Sequence, residues 1–238
     1  MHSLLLLVLL LCSFFVHGKN LVEHLRNNNR SVLCIGDSLT HGLIPIGSRS
    51  KIIHMPYAHR LSHLLNNNSL HTSAASKYVH VIEEGVDGER TEEMAERLGT
   101  LLPHHPRVGL VIILGGTNDI NQATNASTII KNIAKMHTLA HAHSPDTYTI
   151  AITIPDLSPW IHLDVTTAKY LEVNVGIRAF QKSTQKKTAA LFEMEKRWVP
   201  HADYAKFWSQ DRVHFSEVGS RSIAEHLFVH MRDNSLED

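Results

Sequence analysis

The sequence predicts an α/β protein in which a central parallel sheet lies between two layers of helices. Five short apolar runs, rich in β-branched residues, recur along the chain, and segments with helical spacing of apolar residues lie between them. Strands that alternate with helices favour parallel pairing through helical crossovers. The run Val108 to Leu114 is apolar at nearly every position, which is typical of a central strand buried on both faces.

The strands and helices are expected in regular alternation. The apolar runs predict strands at residues 31–36, 78–83, 108–114, 148–154 and 189–193. Helical spacing predicts helices at residues 56–66, 91–102, 126–142, 164–185 and 216–231. Pro56 suits a first helical turn, and Thr91 is a favourable N-cap ahead of Glu92 and Glu93. No repeat, linker or charge block marks a second domain, so we expect residues 19–238 to form one domain.

The first 18 residues predict a secretory signal peptide, residues 1–18, that is not part of the fold. Residues 4–11 are all leucine or valine, and Gly18 provides a small residue for cleavage before Lys19. The alternative is a retained signal anchor, which the shortness of the apolar run disfavours. We therefore expect a mature chain that is secreted or held in the secretory-pathway lumen, with no stable membrane insertion.

Composition and short motifs limit the partners and modifications. The 23 Lys and Arg residues balance the 23 Asp and Glu residues, so nothing indicates a nucleic-acid partner. Only Cys34 remains after signal removal, so no internal disulfide can form, and its apolar strand predicts a buried core residue. Three sequons predict N-glycosylation at surface turns, on Asn29, Asn67 and Asn125.

Polar clusters follow the first three predicted strands. Asp37 and Ser38 follow the first, residues 85–88 the second, and residues 115–119 the third. The carboxyl ends of strands in an open parallel sheet border its ligand crevice. We therefore expect all three clusters to converge on one edge of the sheet.

Ser38 is the candidate nucleophile. Gly36 and Gly42 flank it, so the backbone can turn tightly and a substrate can approach. If Ser38 opens a helix, the helix dipole favours a nearby oxyanion. The alternative for an isolated serine here is a structural N-cap, and a nucleophilic Cys34 is the less favoured thiol counterpart.

A serine nucleophile needs a base, and we select His214 from the 19 histidines. Asp211 stands three residues earlier, a spacing that lets its carboxylate accept from Nδ1 while Nε2 faces the serine. His41 is the rival because it neighbours Ser38. No carboxylate stands at a comparable offset from His41 to orient its ring.

Three donors are candidates for an oxyanion hole. They are the Asn118 side-chain amide, the Gly88 backbone N–H and the Ser38 backbone N–H. Asn118 has an alternative role in an Asx turn, and Gly88 has one as a turn glycine with positive φ.

The many histidines raise the question of a metal. The best clusters are His104-His105 and the group His137, His141 and His143. The second has helical ligand spacing but lacks an intervening Glu and an evident third ligand. We therefore expect no catalytic metal and no cofactor.

Four sequence blocks together resemble the SGNH/GDSL hydrolase family. They occur in the family's order over nearly the whole mature chain, and they are Gly36-Asp37-Ser38-Leu39, the block from Gly85 to Thr91, Gly115-Gly116-Thr117-Asn118-Asp119 and Asp211-Arg212-Val213-His214. The resemblance implies a flavodoxin-like three-layer α/β/α sandwich and hydrolysis of carboxylic esters without a cofactor.

The resemblance also implies roles for single residues. Ser38 matches the nucleophile, Asp211 and His214 complete the catalytic triad, and Gly88 and Asn118 complete the oxyanion hole.

Two positions depart from the family pattern. Glu83 and Glu84 occupy a region where the family often has Asn before the first glycine of the second block. Arg212 follows the last Asp where the family often has Gly. Neither departure removes a catalytic group, but both bear on pocket charge and substrate choice.

These features predict a secreted serine esterase that works through an acyl-enzyme intermediate. Its expected substrates are short-chain acyl or acetyl esters, including esters on carbohydrate. The alternatives are a lysophospholipase or lipase of the same family, and a non-catalytic protein that binds carbohydrate or lipid. Candidate pocket residues, for which core packing is the competing role, are Trp160, Ile161, Phe207 and Trp208.

Overall fold

A five-stranded parallel sheet forms the centre of the molecule. Its strands are β1 (Ser31–Gly36), β4 (Val81–Gly85), β5 (Val108–Leu114), β6 (Tyr148–Ile152) and β7 (Ala189–Phe192). Their spatial order is β4-β1-β5-β6-β7, with every pair parallel. This is the flavodoxin-like order, which confirms the predicted fold class. Two further strands, β2 (Leu43–Ile46) and β3 (Lys51–His54), form a separate antiparallel hairpin.

The computed structural model describes most of the chain beyond its amino-terminal segment. The described residues are 20–47, 51–67, 78–144, 146–155, 164–184, 189–194 and 204–233. The predicted signal peptide, Trp160 and Ile161 lie outside these ranges.

Helices cover both faces of the sheet. They are α1 (Leu21–Asn27), α2 (Ser38–His41), α3 (Tyr57–Asn66), α4 (Thr91–Leu101), α5 (Thr117–Asn121), α6 (Ala126–His143), α7 (Asp164–Ser183) and α8 (Glu217–Asp233). Short 3-10 turns occur at Leu102–His104 and Tyr204–Phe207. No helix in the described ranges is both long enough and apolar enough to cross a membrane.

Alternate residues of the central strands enter two separate cores. Val32 and Cys34 of β1 lie in one core, with side chains of α1, α3 and α8. Leu33 and Ile35 lie in the other, with side chains of α4, α6 and α7. All positions of β1 and β5 are buried, as the apolar runs predict for central strands.

Burial determines the role of Cys34. The thiol is fully buried in the core between the sheet and the helices α1, α3 and α8, and this burial raises its pKa to about 12. A thiol that stays protonated is a poor nucleophile. The prediction of a core cysteine is therefore confirmed.

Several element boundaries differ from prediction. Thr91 is the first residue of α4, and Arg90 is its N-cap, so the predicted Thr91 cap is wrong. The Thr91 N–H and hydroxyl instead donate to the Asp119 carboxylate, at 2.9 and 2.8 Å. Pro56 is the N-cap of α3 rather than its first residue. Helix α1 and the β2–β3 hairpin were not predicted.

The candidate pocket and glycan residues have different surroundings. Trp208 is 5 % exposed and packs against Phe215, and Phe207 packs against the same core, which confirms the core-packing alternative for both.

The three sequon asparagines differ in exposure. Asn67 and Asn125 are exposed. Asn29 is partly buried and has a φ of 52°.

Gly85 allows α2 to lie directly against the end of β4. A Cβ atom built on Gly85 would lie 2.1 Å from the backbone nitrogen of His41. Any side chain at this position would push α2 away from the sheet. Because Ser38 begins α2, the absence of a side chain at residue 85 determines where Ser38 lies.

We predict that Gly85→Ala destabilises the protein by about 1–3 kcal/mol or more, because backbone atoms must move to accept the methyl group. Gly99→Ala is the matched control. A Cβ on Gly99 meets nothing nearer than Leu139 Cδ1, at 3.9 Å. In this helical position alanine should raise stability by about 0.5–1 kcal/mol. Denaturant unfolding measures both, and a Gly85→Ala variant as stable as wild type would contradict the packing argument.

Candidate active site

The candidate site lies where the strand order changes direction. Strands β1 and β5 are neighbours, and the chain leaves them toward opposite sides of the sheet, so a crevice opens at their carboxyl ends. Ser38 follows β1 and Asn118 follows β5. The Val86 N–H donates to the Gly36 carbonyl at 3.0 Å, which holds the turn after β4 against the end of β1. The predicted convergence of the three polar clusters is therefore observed.

Ser38 is the first residue of α2. The Asp37 carboxylate caps this helix by accepting from the Leu39 N–H at 2.9 Å. Gly36 leaves the space that the turn needs, because a Cβ there would lie 2.4 Å from the Leu114 carbonyl oxygen. The helix has only four residues, so its local N–H groups, rather than a long helix dipole, face the crevice.

His214 joins Ser38 to Asp211. Its Nε2 lies 2.9 Å from Ser38 Oγ, and its Nδ1 lies 2.6 Å from Asp211 Oδ2. The loop before α8 brings this ring to Ser38 across 176 positions of sequence. The three residues selected from the sequence therefore form one continuous hydrogen-bonded chain.

Asp211 is held by four donors. Its Oδ1 accepts from the Ser209 hydroxyl at 2.5 Å and from the N–H groups of Val213 and His214 at 3.0 Å each, while Oδ2 faces the His214 ring. Burial raises the pKa of the carboxyl, but these hydrogen bonds outweigh it and hold the pKa well below its usual range. An ionised Asp211 accepts from the His214 ring and so holds it in one orientation. Arg212, the residue directly after Asp211, has a φ of 61°, a conformation that suits the glycine often found there in the family that the sequence resembles.

The rival histidine, His41, does have a carboxylate partner. Its Nδ1 lies 2.9 Å from Asp87 Oδ1, a contact that links residues 46 positions apart. The local sequence of His41 therefore gave no sign of this partner. The ring in contact with Ser38 Oγ is that of His214, which favours His214 as the base.

The side chain of Asn118 reaches the turn after β4 and the turn after β1. Its Nδ2 donates to the Glu89 carbonyl at 3.0 Å and lies 3.5 Å from Asp37 Oδ2. The first bond anchors the amide, and the second contact is at the outer limit of hydrogen bonding. One N–H of Asn118 is therefore only weakly engaged.

Gly88 adopts the left-handed conformation predicted for a turn glycine, with a φ of 79°. A Cβ built on it would meet no atom within 4 Å, so no other residue packs against this side of Gly88. The backbone N–H groups of Gly88 and Ser38 have no hydrogen-bond partner among the described residues. Both groups are thus available to a ligand.

A partly buried arginine, Arg97, supports this turn, and sequence reasoning missed it. Arg97 pairs with the Glu89 carboxylate and donates to the backbone carbonyls of Glu84, at 3.1 Å, and Gly36, at 3.4 Å. It therefore joins α4 to the ends of β1 and β4. Glu84, which departs from the family pattern, also pairs with Arg97 rather than facing a pocket. No local spacing signals these contacts.

Of the candidate metal-binding histidines on α6, His137 is buried and His141 is partly exposed. His137 is 2 % exposed, and its Nδ1 lies 2.6 Å from the Thr149 hydroxyl. Burial lowers the pKa of His137 to about 3, with a smaller contribution from His141. The ring is therefore a neutral packing residue.

Asp37 is buried among other acidic groups. Burial is the main cause that raises its pKa to about 7, the Leu39 N–H opposes the shift, and the charges of Asp119 and Glu89 add to it. Ionising this carboxyl therefore costs folding free energy at neutral pH.

Comparison with known proteins places the chain among acylhydrolases. The model of the GDSL-like lipase/acylhydrolase family matches residues 34–221. A search of curated proteins gave no match. Among solved structures, a lipase/acylhydrolase from Enterococcus faecalis has a TM-score of 0.66 at 18 % identity, covering 88 % of this chain and 100 % of its own.

Two further structures have named activities. The native aryl esterase of M. smegmatis has a TM-score of 0.64 at 22 % identity, with 87 % of this chain and 100 % of that chain covered. A carbohydrate acetylesterase from Sinorhizobium meliloti has a TM-score of 0.60 at 22 % identity, with 84 % and 99 % covered. At these identities the likeness shows a shared fold.

We predict that Asp37→Asn stabilises the protein in a pH-dependent way. The folded-state pKa of Asp37, about 7, lies above the 3.8 of an unfolded aspartate, so ionisation destabilises the fold increasingly from about pH 4 to pH 7. Asparagine avoids this cost and still accepts from the Leu39 N–H. The variant should exceed wild type by about 2–4 kcal/mol at pH 8, and the difference should shrink toward pH 4.

The same variant should lose activity. Its amide nitrogen would replace the oxygen that faces Asn118 Nδ2, so two donors would oppose each other and displace Asn118. Urea unfolding over a pH series and kcat at one pH measure the two effects. A stability difference that does not vary with pH would contradict the proposed burial of a charge.

Proposed function

The chain belongs to the GDSL-like lipase/acylhydrolase family, and we propose that it is a serine esterase whose nucleophile is Ser38. The observation that carries this proposal is the continuous chain from Ser38 Oγ through His214 to Asp211, with contacts of 2.9 and 2.6 Å. These are the contacts that a base needs to take a proton and remain oriented.

In the first half of the reaction, His214 Nε2 takes the proton of Ser38 Oγ while the oxygen attacks the ester carbonyl carbon. The resulting tetrahedral intermediate collapses when the protonated His214 gives its proton to the leaving alcohol, and an acyl-Ser38 ester remains. Water, deprotonated by His214, then attacks this ester and releases the acid. Asp211 stabilises the transient imidazolium through the Nδ1 contact.

The oxyanion is stabilised by donors that converge on the crevice. The Ser38 and Gly88 N–H groups and the weakly engaged N–H of Asn118 are the candidates. The Glu89 carbonyl holds the Asn118 amide in place, so the remaining N–H needs little reorganisation to donate. The N–H of Asn118 should bond more strongly to the negatively charged oxygen of the intermediate than to Asp37 Oδ2, which lies 3.5 Å away.

We propose short-chain acyl or acetyl esters, including esters on carbohydrate, as the substrates. Two similar structures bear the names aryl esterase and carbohydrate acetylesterase, which supports small esters.

We also propose that the protein is secreted and glycosylated. The apolar amino terminus supports secretion. The exposure of Asn67 and Asn125 supports glycan attachment at these two sequons more than at the partly buried Asn29. Edman sequencing of protein from the culture medium of a eukaryotic host, with Lys19 as the expected first residue, tests the cleavage.

We predict that Ser38→Ala lowers turnover of p-nitrophenyl acetate by about four orders of magnitude or more, because triad members act as a unit. The folded state should persist, since the substitution removes one hydroxyl. Wild-type protein that fails to turn over this ester would instead favour the non-catalytic binding protein.

A fluorophosphonate probe locates the nucleophile directly. It should label wild type at Ser38 and leave Ser38→Ala unlabelled, because Cys34 is buried and protonated. Mass spectrometry of the labelled peptide reads the position. Labelling on Cys34 would overturn the assignment.

We predict that Asn118→Ala lowers kcat by about 10²–10³-fold with little change in KM, because the amide binds the charged intermediate better than the neutral ester. Asn118→Asp should be at least as harmful, since an ionised carboxylate offers no donor and repels the oxyanion. If Asn118 only forms a turn, Asp replaces it well, and a fully active, well-folded Asn118→Asp enzyme would show this.

A panel of p-nitrophenyl esters with increasing acyl length, beside acetylated sugars, defines the substrate. We expect kcat/KM to be highest for acetyl or other short acyl groups. A maximum at long chains, or preference for a lysophospholipid, would favour the lipase alternative.

A further inference from the structure

A second histidine–carboxylate cluster lies next to the catalytic residues, and the proposed reaction does not use it. It consists of His41, His54 and Asp87. His41 Nδ1 lies 2.9 Å from Asp87 Oδ1, and His54 Nε2 lies 3.5 Å from Asp87 Oδ2. The two imidazole rings stack, with centroids 3.8 Å apart and planes at 25°. Both rings thus direct a nitrogen at the same carboxylate.

Three separate elements supply this cluster. His41 ends α2, His54 ends β3, and Asp87 lies in the turn after β4. The hairpin pairs His54 with Leu43, two residues after His41, which brings the two rings together. The close approach of α2 to Gly85 brings His41 to the turn that carries Asp87.

The donor atoms have the spacing that a metal ion requires. One atom from each of the three side chains lies within 4.8 Å of the others. Ligand atoms around a tetrahedral Zn²⁺ ion are about 3.3 Å apart, given metal–nitrogen distances of about 2.0–2.1 Å. Small side-chain rotations therefore convert the observed arrangement into a ligand set.

We propose that His41, His54 and Asp87 bind one divalent transition-metal ion of the Zn²⁺ type at the rim of the active site. Two imidazole nitrogens and one carboxylate oxygen suit Zn²⁺ or Co²⁺, whereas Mg²⁺ and Ca²⁺ prefer oxygen ligands. The side chains of the three ligands are 33 %, 38 % and 41 % exposed, so water can complete the coordination.

Ion binding replaces the hydrogen bond between His41 and Asp87. A carboxylate only accepts, so His41 Nδ1 donates to Asp87 without the ion, while His54 Nε2 faces the same carboxylate at 3.5 Å. When the ion binds, these two nitrogens offer lone pairs instead, and each neutral ring carries its proton on the other nitrogen. The ion then connects the helix of Ser38, the hairpin and the turn that carries Gly88.

Direct binding measurements on Ser38→Ala test the site without any dependence on turnover. Isothermal titration with Zn²⁺ should give one ion per chain, and Co²⁺ should produce visible absorption typical of nitrogen and oxygen ligands. Asp87→Asn and the double variant His41→Asn/His54→Asn should each weaken affinity by at least about tenfold, the lower end of the losses that mutation around metal sites produces. Far-UV circular dichroism verifies that these variants fold.

Matched variants distinguish this site from other histidines. His104→Asn/His105→Asn also removes two histidines, which belong to no three-ligand cluster among the described residues, and should bind Zn²⁺ as before. His214→Asn should also retain the ion. The proposal is overturned if neither ion binds saturably, if binding survives in His41→Asn/His54→Asn, or if loss of binding follows His214→Asn or the control pair.

Discussion

The parallel pairing of β1 with both β4 and β5 is the constraint on which the site depends. The register sets Gly36 opposite Gly85 on one side and opposite Leu114 on the other. The three strands thus end at the same level, and the residues that follow them leave the sheet side by side. Two of the three residues in this row are glycines, so α2 can pack closely over the strand ends. Ser38, Gly88 and Asn118 are brought together by this register before any side-chain contact is made.

Around these three strand ends, polar side chains form hydrogen bonds and ion pairs with groups that are shielded from water. Asp119 satisfies the first N–H and hydroxyl of α4, and Arg97 neutralises Glu89 while it binds two strand-end carbonyls. Asp37 has no cationic partner among the described residues, and burial raises its pKa to about 7. Such a distribution is expected where stability is given up for function. The Asp37 carboxylate caps the helix of the proposed nucleophile and faces Asn118, and it is also the group that destabilises the fold when it ionises.

Two histidine–aspartate pairs contact the short helix of Ser38, and their surroundings separate their roles. In the first, Asp211 is nearly enclosed and accepts several hydrogen bonds, so its His214 partner has one orientation and reaches Ser38 Oγ. In the second, Asp87 is exposed and shared by two stacked rings, an arrangement open to a further ligand. Identical residue types therefore suit the proposed proton transfer in one place and the proposed ion in the other.

The sequence by itself determined the layered fold, the five strands of the sheet and the residues of the candidate triad. These follow from local signals: apolar runs mark strands, helical spacing marks helices, and Asp211 and His214 stand three residues apart in one loop. Only the tertiary structure decided the partner of His41 and the anchoring of Asn118 by Glu89. It also decided the contacts by which Arg97 joins α4 to the ends of β1 and β4, and the hydrogen bonds from Thr91 to Asp119. Each of these contacts joins residues from different elements, so its energy depends on how strands and helices pack rather than on spacing along the chain. The β2–β3 hairpin escaped prediction for a related reason, because its short strands lie outside the main sheet and lack the continuous apolar pattern that burial on both faces imposes.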